Sequence, residues 1–151
     1  PAGSRCWTLA MGRGASGVRA IRLKSDDGVI GMDVFDGKDT NLEFLTIGQN
    51  GLGKLTAIED YKVQHRGGSG IKTAKVTPKT GQIIHGSVID KVKCDRKDIL
   101  MMSNNGQVIR MPFSSIPSTG RATQGVRLMR FKIEGDHVAN VTLVEKEEVL
   151  V

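Results

Sequence analysis

Aromatic residues are scarce in this chain, with one Trp, one Tyr and four Phe in 151 residues. Cysteine is scarcer: Cys6 and Cys94 lie far apart and neither belongs to a CxxC. That shortage excludes a disulfide-stapled secreted scaffold and leaves no redox or zinc spacing, so both thiols are expected reduced, in a cytoplasmic setting. No apolar run approaches the ~18 residues of a membrane span. Residues 1–10 lack the charge and apolar stretch of a signal peptide. A helical apolar period is not sustained over any window of about 11 residues, so helix content should be very low.

What is present is charge and glycine. The chain holds 22 Lys+Arg against 16 Asp+Glu, a net charge of +6, and 19 Gly. The positive charge is spread along the chain: residues 1–80 carry 12 basic and 8 acidic side chains, and 81–151 carry 10 and 8. A distributed excess of this kind suits a path for a polyanion better than it suits a tail.

Internal repetition sets the fold class. Arg13-Gly14-Ala15-Ser16-Gly17-Val18, Arg66-Gly67-Gly68-Ser69-Gly70-Ile71 and Arg121-Ala122-Thr123-Gln124-Gly125-Val126 share one template, Arg followed by three small or polar residues, Gly and a β-branched residue. The template Gly recurs in steps of 53 and 55, and a second landmark, Asn50-Gly51 and Asn105-Gly106, repeats 55 apart. Each unit is expected to supply four strands. The first leaves the template Gly (18–24, 71–77, 126–132), the second follows a turn (29–34, 83–89, 138–144), and the third and fourth flank Asn-Gly (42–47 with 54–58, and 99–103 with 107–113). Asn-Gly between β-formers predicts a tight hairpin with a type I′ turn. Repeated four-stranded units predict an all-β, propeller-like array of about three blades of antiparallel strands over residues 1–151. The units begin and end out of phase, as in a piece of a longer array.

Two motifs imitate nucleotide sites. Gly12-x-Gly14-x-x-Gly17 matches a dinucleotide fingerprint, and Gly48-Gln49-Asn50-Gly51-Leu52-Gly53-Lys54 has P-loop spacing. Both chemistries need a following helix whose N-terminus meets phosphate; strand-forming residues follow here, and Leu55 stands where the P-loop needs a hydroxyl. They are expected to be a glycine turn and a hairpin tip. His65, His85 and His137 have no ligand spacing, and nothing marks Tyr61 as a nucleophile. No catalytic residue, metal site or cofactor is expected.

The cations follow the repeat. Counting from the template Gly as zero, position −4 holds Arg13, Arg66 and Arg121; +2 holds Arg19, Lys72 and Arg127; +5 holds Arg22, Lys75 and Arg130. Position +7 adds Lys24 and Lys132, with Thr77 the exception. Nine of the 22 cations therefore sit at three positions that are basic in every unit. The offsets +1, +4 and +6 are correspondingly apolar. In a strictly alternating strand +2 and +5 face opposite sides, which favours −4 and +5 as the shared track. Evenly spaced rows of cations suit a bent duplex, which carries a charge about every 1.7 Å of axis. The aromatic shortage argues against single strands, whose bases stack on aromatic platforms.

These segments, with Gln49-Asn50-Gly51-Leu52-Gly53-Lys54, resemble the C-terminal domain of the bacterial DNA gyrase A subunit over essentially the whole chain. The resemblance implies a β-pinwheel, a propeller variant whose strands interlock between blades. It further implies a non-catalytic module that wraps double-stranded DNA on its basic rim and supports ATP-dependent negative supercoiling. The remainder of the gyrase A subunit, together with the B subunit, would form the protein partners, with no membrane, and the active sites would lie outside this chain. Gln64-His65-Arg66-Gly67-Gly68-Ser69-Gly70 approaches the family's Gln-basic-Arg-Gly-Gly-basic-Gly box, with His65 and Ser69 replacing two cations. The C-terminal domain of the topoisomerase IV A subunit is the near alternative, and a propeller binding an acidic protein is the alternative from another class.

Overall fold

The computed structural model describes residues 11–146. Cys6 lies outside them. The chain builds two antiparallel sheets and almost no helix, as expected of a pinwheel. The strands are β1 (Leu42–Gly48), β2 (Leu52–Ala57), β3 (Ile83–Asp90), β4 (Lys97–Ser103), β5 (Val108–Pro112), β6 (Val126–Arg127) and β7 (Val138–Glu145). One four-residue helix, α1 (Lys91–Cys94), joins β3 to β4. Its first turn is fixed by Asp90, whose side chain accepts from the Val92 and Lys93 N–H groups at 3.1 and 3.2 Å. That cap satisfies two of the donors a helix start leaves unpaired.

The sheets interlock. The larger runs β3-β1-β2-β6 and the smaller β5-β4-β7. β1 and β2 are the Asn-Gly hairpin of the first unit, β3 is the second strand of the next unit, and β6 is the template strand of the unit after that. One sheet thus draws strands from three successive units, where the sequence suggested one unit per blade. The physical reason is that consecutive elements such as β3 and β4 are joined by a short helix that carries the chain across to the next sheet. In the second sheet β7 plays the part of β3, and both share a register break at the same place, after Ile47 and after Met102.

The hairpin turns also differ from the expected type. Gly51 and Gly106 take φ of +77° and +81°, but no non-glycine described residue has positive φ, so neither Asn adopts the type I′ geometry. Each loop is instead a turn closed by Gly51 N–H to Gly48 O, or Gly106 N–H to Ser103 O, both 3.0 Å, with the glycine alone left-handed. This is the longer hairpin loop with a glycine bulge. It frees Asn50 to brace the neighbouring unit: its Nδ2 donates to the carbonyls of Pro78 and Lys79 at 2.9 and 3.3 Å.

Three expected strands are not formed. Residues 18–24, 29–34 and 71–77 carry no ladder. The first makes one parallel bridge, Ile21 with Gly68, because its described neighbour is a loop rather than a strand. At 29–34 the contact to β3 is made by a side chain, Asp33 Oδ2 accepting from Val88 N–H at 2.7 Å. For 71–77 the neighbour is again a template loop, reached by Lys75 N–H to Thr123 O at 3.1 Å.

The core lies between the sheets. Leu45, Ile47, Ile99, Met101 and Met129 are fully buried, joined by Leu55, Phe113, Ile116, Val138 and Val141. Of the apolar template offsets, +4 is buried at Ala74 and Met129, and Phe131 at +6 packs half-buried against the core, while Val18, Val126 and Val76 remain exposed.

Candidate nucleic-acid interface

The irregular template segments create the candidate site. Where one unit's template segment passes the next unit's template loop, one backbone hydrogen bond recurs. Arg22 N–H donates to Gly68 O at 2.9 Å, and Lys75 N–H donates to Thr123 O at 3.1 Å. Both bonds join the +5 residue of one unit to the −2 carbonyl of the next. The backbone of the +5 residue is therefore tied to the loop that carries the −4 arginine of the following unit, Arg22 to the loop of Arg66 and Lys75 to the loop of Arg121. A row drawn along one unit becomes a set of seams between units.

A groove opens at each seam. At one, about 590 Å³ is bounded by Ala20, Ile21, Val63, Gln64, His65, Arg66, Gly68 and Gly70, which includes most of the box-like loop with exposed Ser69 beside it. At the other, about 490 Å³ is bounded by Asp60, Lys72, Gly120, Arg121, Ala122 and Thr123. Lys72 at +2 and Arg121 at −4 thus line one concavity, and exposed Lys75 follows three residues after Lys72. Because 71–77 is not a regular strand, Lys72 and Lys75 are both exposed, and alternation does not force +2 and +5 apart.

The remaining template cations are exposed as well: Arg13, Arg19, Arg22 and Lys24 in the first template, Arg66 in the second, and Arg127, Arg130 and Lys132 in the third. The backbone of this last group is held by Gln107, whose Nε2 donates to Arg130 O at 2.6 Å and whose Oε1 accepts from Lys132 N–H at 3.0 Å. The ion pairs Lys91–Glu43, Lys93–Asp90, Lys97–Glu145 and Arg110–Asp98 use cations outside the template positions.

Arg121 is held against an aromatic ring. Its guanidinium carbon lies 5.9 Å from the centroid of the Tyr61 ring, a cation–π distance. Tyr61 stands edge-on to Phe44, with centroids 5.7 Å apart, and its hydroxyl pairs with Thr73 Oγ1. The one tyrosine is thus a packing platform. Beneath the loop is a residue that sequence reasoning passed over as a hairpin tip. Lys54 on β2 is 1 % exposed, and burial pushes its pKa below the ordinary lysine value; the Arg121 charge acts in the same direction and Asp60 against it. The available signal was its register: Lys54 occupies the position of Ile109, 55 residues later, an apolar place in the other hairpin.

Among the described residues no His/Cys/Asp/Glu group is arranged to hold a metal ion, and no helix is long and apolar enough to cross a membrane. His85 shares a hydrogen bond with Ser87 Oγ at 3.1 Å, and burial lowers its pKa despite the opposing charge of Asp33. Cys94 is buried and free, and its burial raises the thiol pKa.

The family model described as the DNA gyrase C-terminal domain, beta-propeller, matches residues 9–36, 42–90 and 97–145. The DNA gyrase A subunit of Staphylococcus epidermidis (strain ATCC 12228) is 38 % identical over 138 residues, covering 91 % of this chain and 15 % of that protein. Its counterpart from Staphylococcus aureus (strain MRSA252) is 36 % identical over 137 residues, with the same coverage of 91 % and 15 %. The chain therefore spans about 15 % of the length of these curated relatives. Among solved structures, the DNA gyrase A C-terminal domain superposes with a TM-score of 0.70 at 20 % identity, covering 89 % of this chain and 43 % of that one. The C-terminal domain of DNA topoisomerase IV superposes at 0.72 and 18 %, covering 85 % and 38 %.

Proposed function

The chain belongs to the DNA gyrase C-terminal domain family, and from that premise we propose that its template seams form a non-catalytic track for double-stranded DNA. The observation that carries this reading is the repeated seam, in which the same backbone bond ties a +5 residue to the template loop bearing the next unit's −4 arginine. In the second seam Lys72 and Arg121 line one open groove. Cations repeated at a fixed place in the fold suit an evenly charged backbone that must bend to follow them.

Bending 20–30 base pairs by 40–90° costs of order 1–6 kcal/mol, which several phosphate contacts must offset. The contacts come from flexible cationic side chains at positions repeated from unit to unit, which suits recognition of phosphates and shape. In the parent protein this module would hold a duplex segment against the remainder of the gyrase A subunit, with the B subunit supplying ATP-driven passage. The strand-cleaving and ATP sites would lie outside this chain.

The test is titration of a labelled duplex at several salt concentrations, with a single strand of the same sequence as competitor. Sequence-tolerant binding that weakens steeply with salt and prefers duplex is expected. A flat salt response, or preference for the single strand, refutes the track. Similarity to the topoisomerase IV domain supports a second reading, in which the parent enzyme relaxes and decatenates without introducing negative supercoils. A supercoiling assay on the parent enzyme separates the two.

A further inference from the structure

Lys54 is a charged group buried in the body of the protein, 1 % exposed, on a central strand. An ammonium has three N–H donors and no acceptor, so each needs an oxygen. The Lys54 Nζ donates to Gly120 O at 2.7 Å, to Arg121 O at 2.7 Å and to Thr123 Oγ1 at 3.2 Å. All three acceptors lie within four consecutive residues of the third template loop. The charge is thus met by oriented dipoles of a single loop, in a low-dielectric setting where such bonds are strong. The loop is closed on itself as well, through Thr123 Oγ1 to Gly120 O at 2.8 Å. Two residues along β2, Thr56 Oγ1 donates to Thr119 O at 2.9 Å.

The other hairpin provides the contrast. Ile109 takes the place of Lys54 in β5, and that hairpin forms with the corresponding pairing, Met101 opposite Ile109 as Thr46 is opposite Lys54, and with the same glycine turn. The strand therefore does not need a lysine in order to fold. A lysine stands where a template loop docks. An isoleucine stands where none of the described template loops does. What the lysine adds is the placement of Gly120–Thr123, and with it the placement of Arg121 over Tyr61 and beside Lys72.

We propose that Lys54 is a positioning residue of the DNA track, whose buried ammonium grips the Gly120–Thr123 carbonyl and hydroxyl oxygens and so presents the Arg121 guanidinium to a phosphate, without itself touching DNA. The proposal rests on the duplex-track reading above, and its test is arranged to fail separately from it. Duplex affinity is measured on the whole chain between 50 and 200 mM salt for Lys54→Met, Arg121→Gln, Lys72→Gln and the two double variants that pair Lys54→Met with each of the others.

Arg121→Gln removes about one phosphate contact, which lowers the log–log salt slope by about 0.9 and shrinks the salt-induced loss of affinity about 3.5-fold over this range. Lys54→Met is expected to produce most of the same change. Combined with Arg121→Gln it should add almost nothing, whereas combined with Lys72→Gln the two effects should add. If Lys54→Met lowers the melting temperature but leaves the slope unchanged while Arg121→Gln lowers it, Lys54 is structural only and the proposal is overturned, with the track intact. If Arg121→Gln and Lys72→Gln both leave the slope unchanged, the track itself falls. Should Lys54→Met not fold, Thr123→Val replaces it: removing one acceptor on an exposed residue should lower the slope in the same non-additive way, and an additive or absent effect overturns the proposal.

Discussion

Paired neutralisation of Lys72 and Arg121 is the perturbation that tests the seam most directly. Both side chains line one groove of about 490 Å³, so a bound duplex would present them with adjacent phosphates. Replacing each by Gln keeps most of the side-chain length and removes the charge. Each phosphate contact contributes about 0.9 to the slope of log affinity against log salt. A fourfold rise in salt, from 50 to 200 mM, then costs about 3.5-fold in affinity per contact, and about 12-fold for two. The double variant should therefore bind more weakly at low salt and lose about 12-fold less affinity across that range than the unaltered chain. Fluorescence anisotropy of a labelled duplex gives both quantities in one series. Lys93→Gln is the control, since Lys93 is exposed and paired with Asp90 at 2.9 Å, away from the template positions. If the double variant keeps the original slope, or if Lys93→Gln lowers it equally, the cations act only through net charge and the seam argument is refuted.

Other outcomes follow from the packing and the titrating groups. Gly125→Ala and Gly106→Ala both place a side chain at positive φ, which costs about 1–2 kcal/mol, but only at Gly125 would the new Cβ meet backbone, 2.5 Å from Gly53 O. Urea unfolding should show Gly106→Ala within that range and Gly125→Ala well beyond it; equal losses would show that β6 does not lock against β2. Met129→Ala should cost about 2–5 kcal/mol, because Met129 is fully buried and ties the third template to the core. A loss under about 1 kcal/mol would place it outside the core. The lowered pKa of His85 means the unfolded chain takes up its proton first. The stability associated with neutral His85 is present above the unfolded value near 6.5 and is lost as pH falls through the lower folded value. His85→Gln should flatten the stability profile just below pH ~6.5, and an unchanged profile would contradict the assigned shift.

Much of the local structure was legible because it depends on near neighbours. The hairpins at 42–57 and 97–112 announce themselves by β-formers on either side of Asn-Gly, and β3 and β7 by their return one unit later. The turn type was not legible, since Asn-Gly suits both a two-residue loop and a glycine bulge. The choice fell to contacts from the next unit, including Asn50 N–H to Thr80 O at 3.2 Å. The template segments resemble strands in sequence because their apolar and basic residues alternate roughly as strands do. Only Val126–Arg127 finds a strand edge to pair with, at Leu52 and Gly53. Lys54 opens the expected strand 54–58, but a lysine beside glycines does not announce a core position, and only its three distant acceptors make burial tolerable.

By itself the sequence determined that this is a repeated all-β chain, that its cations recur at fixed places in each unit, and that its turns need glycine. These are properties of composition and spacing, which act over a few residues or are simply counted. Tertiary structure decided which units share a sheet, and so which cations meet. The +5 and −4 residues of successive units lie more than 40 positions apart along the chain. Only the hydrogen bonds from the Arg22 and Lys75 N–H groups to the next template loop bring the segments that carry them together. Pairing over such separations is fixed by packing and register rather than by local preference, and for that reason the row of charge is a property of the sequence and the seam a property of the fold.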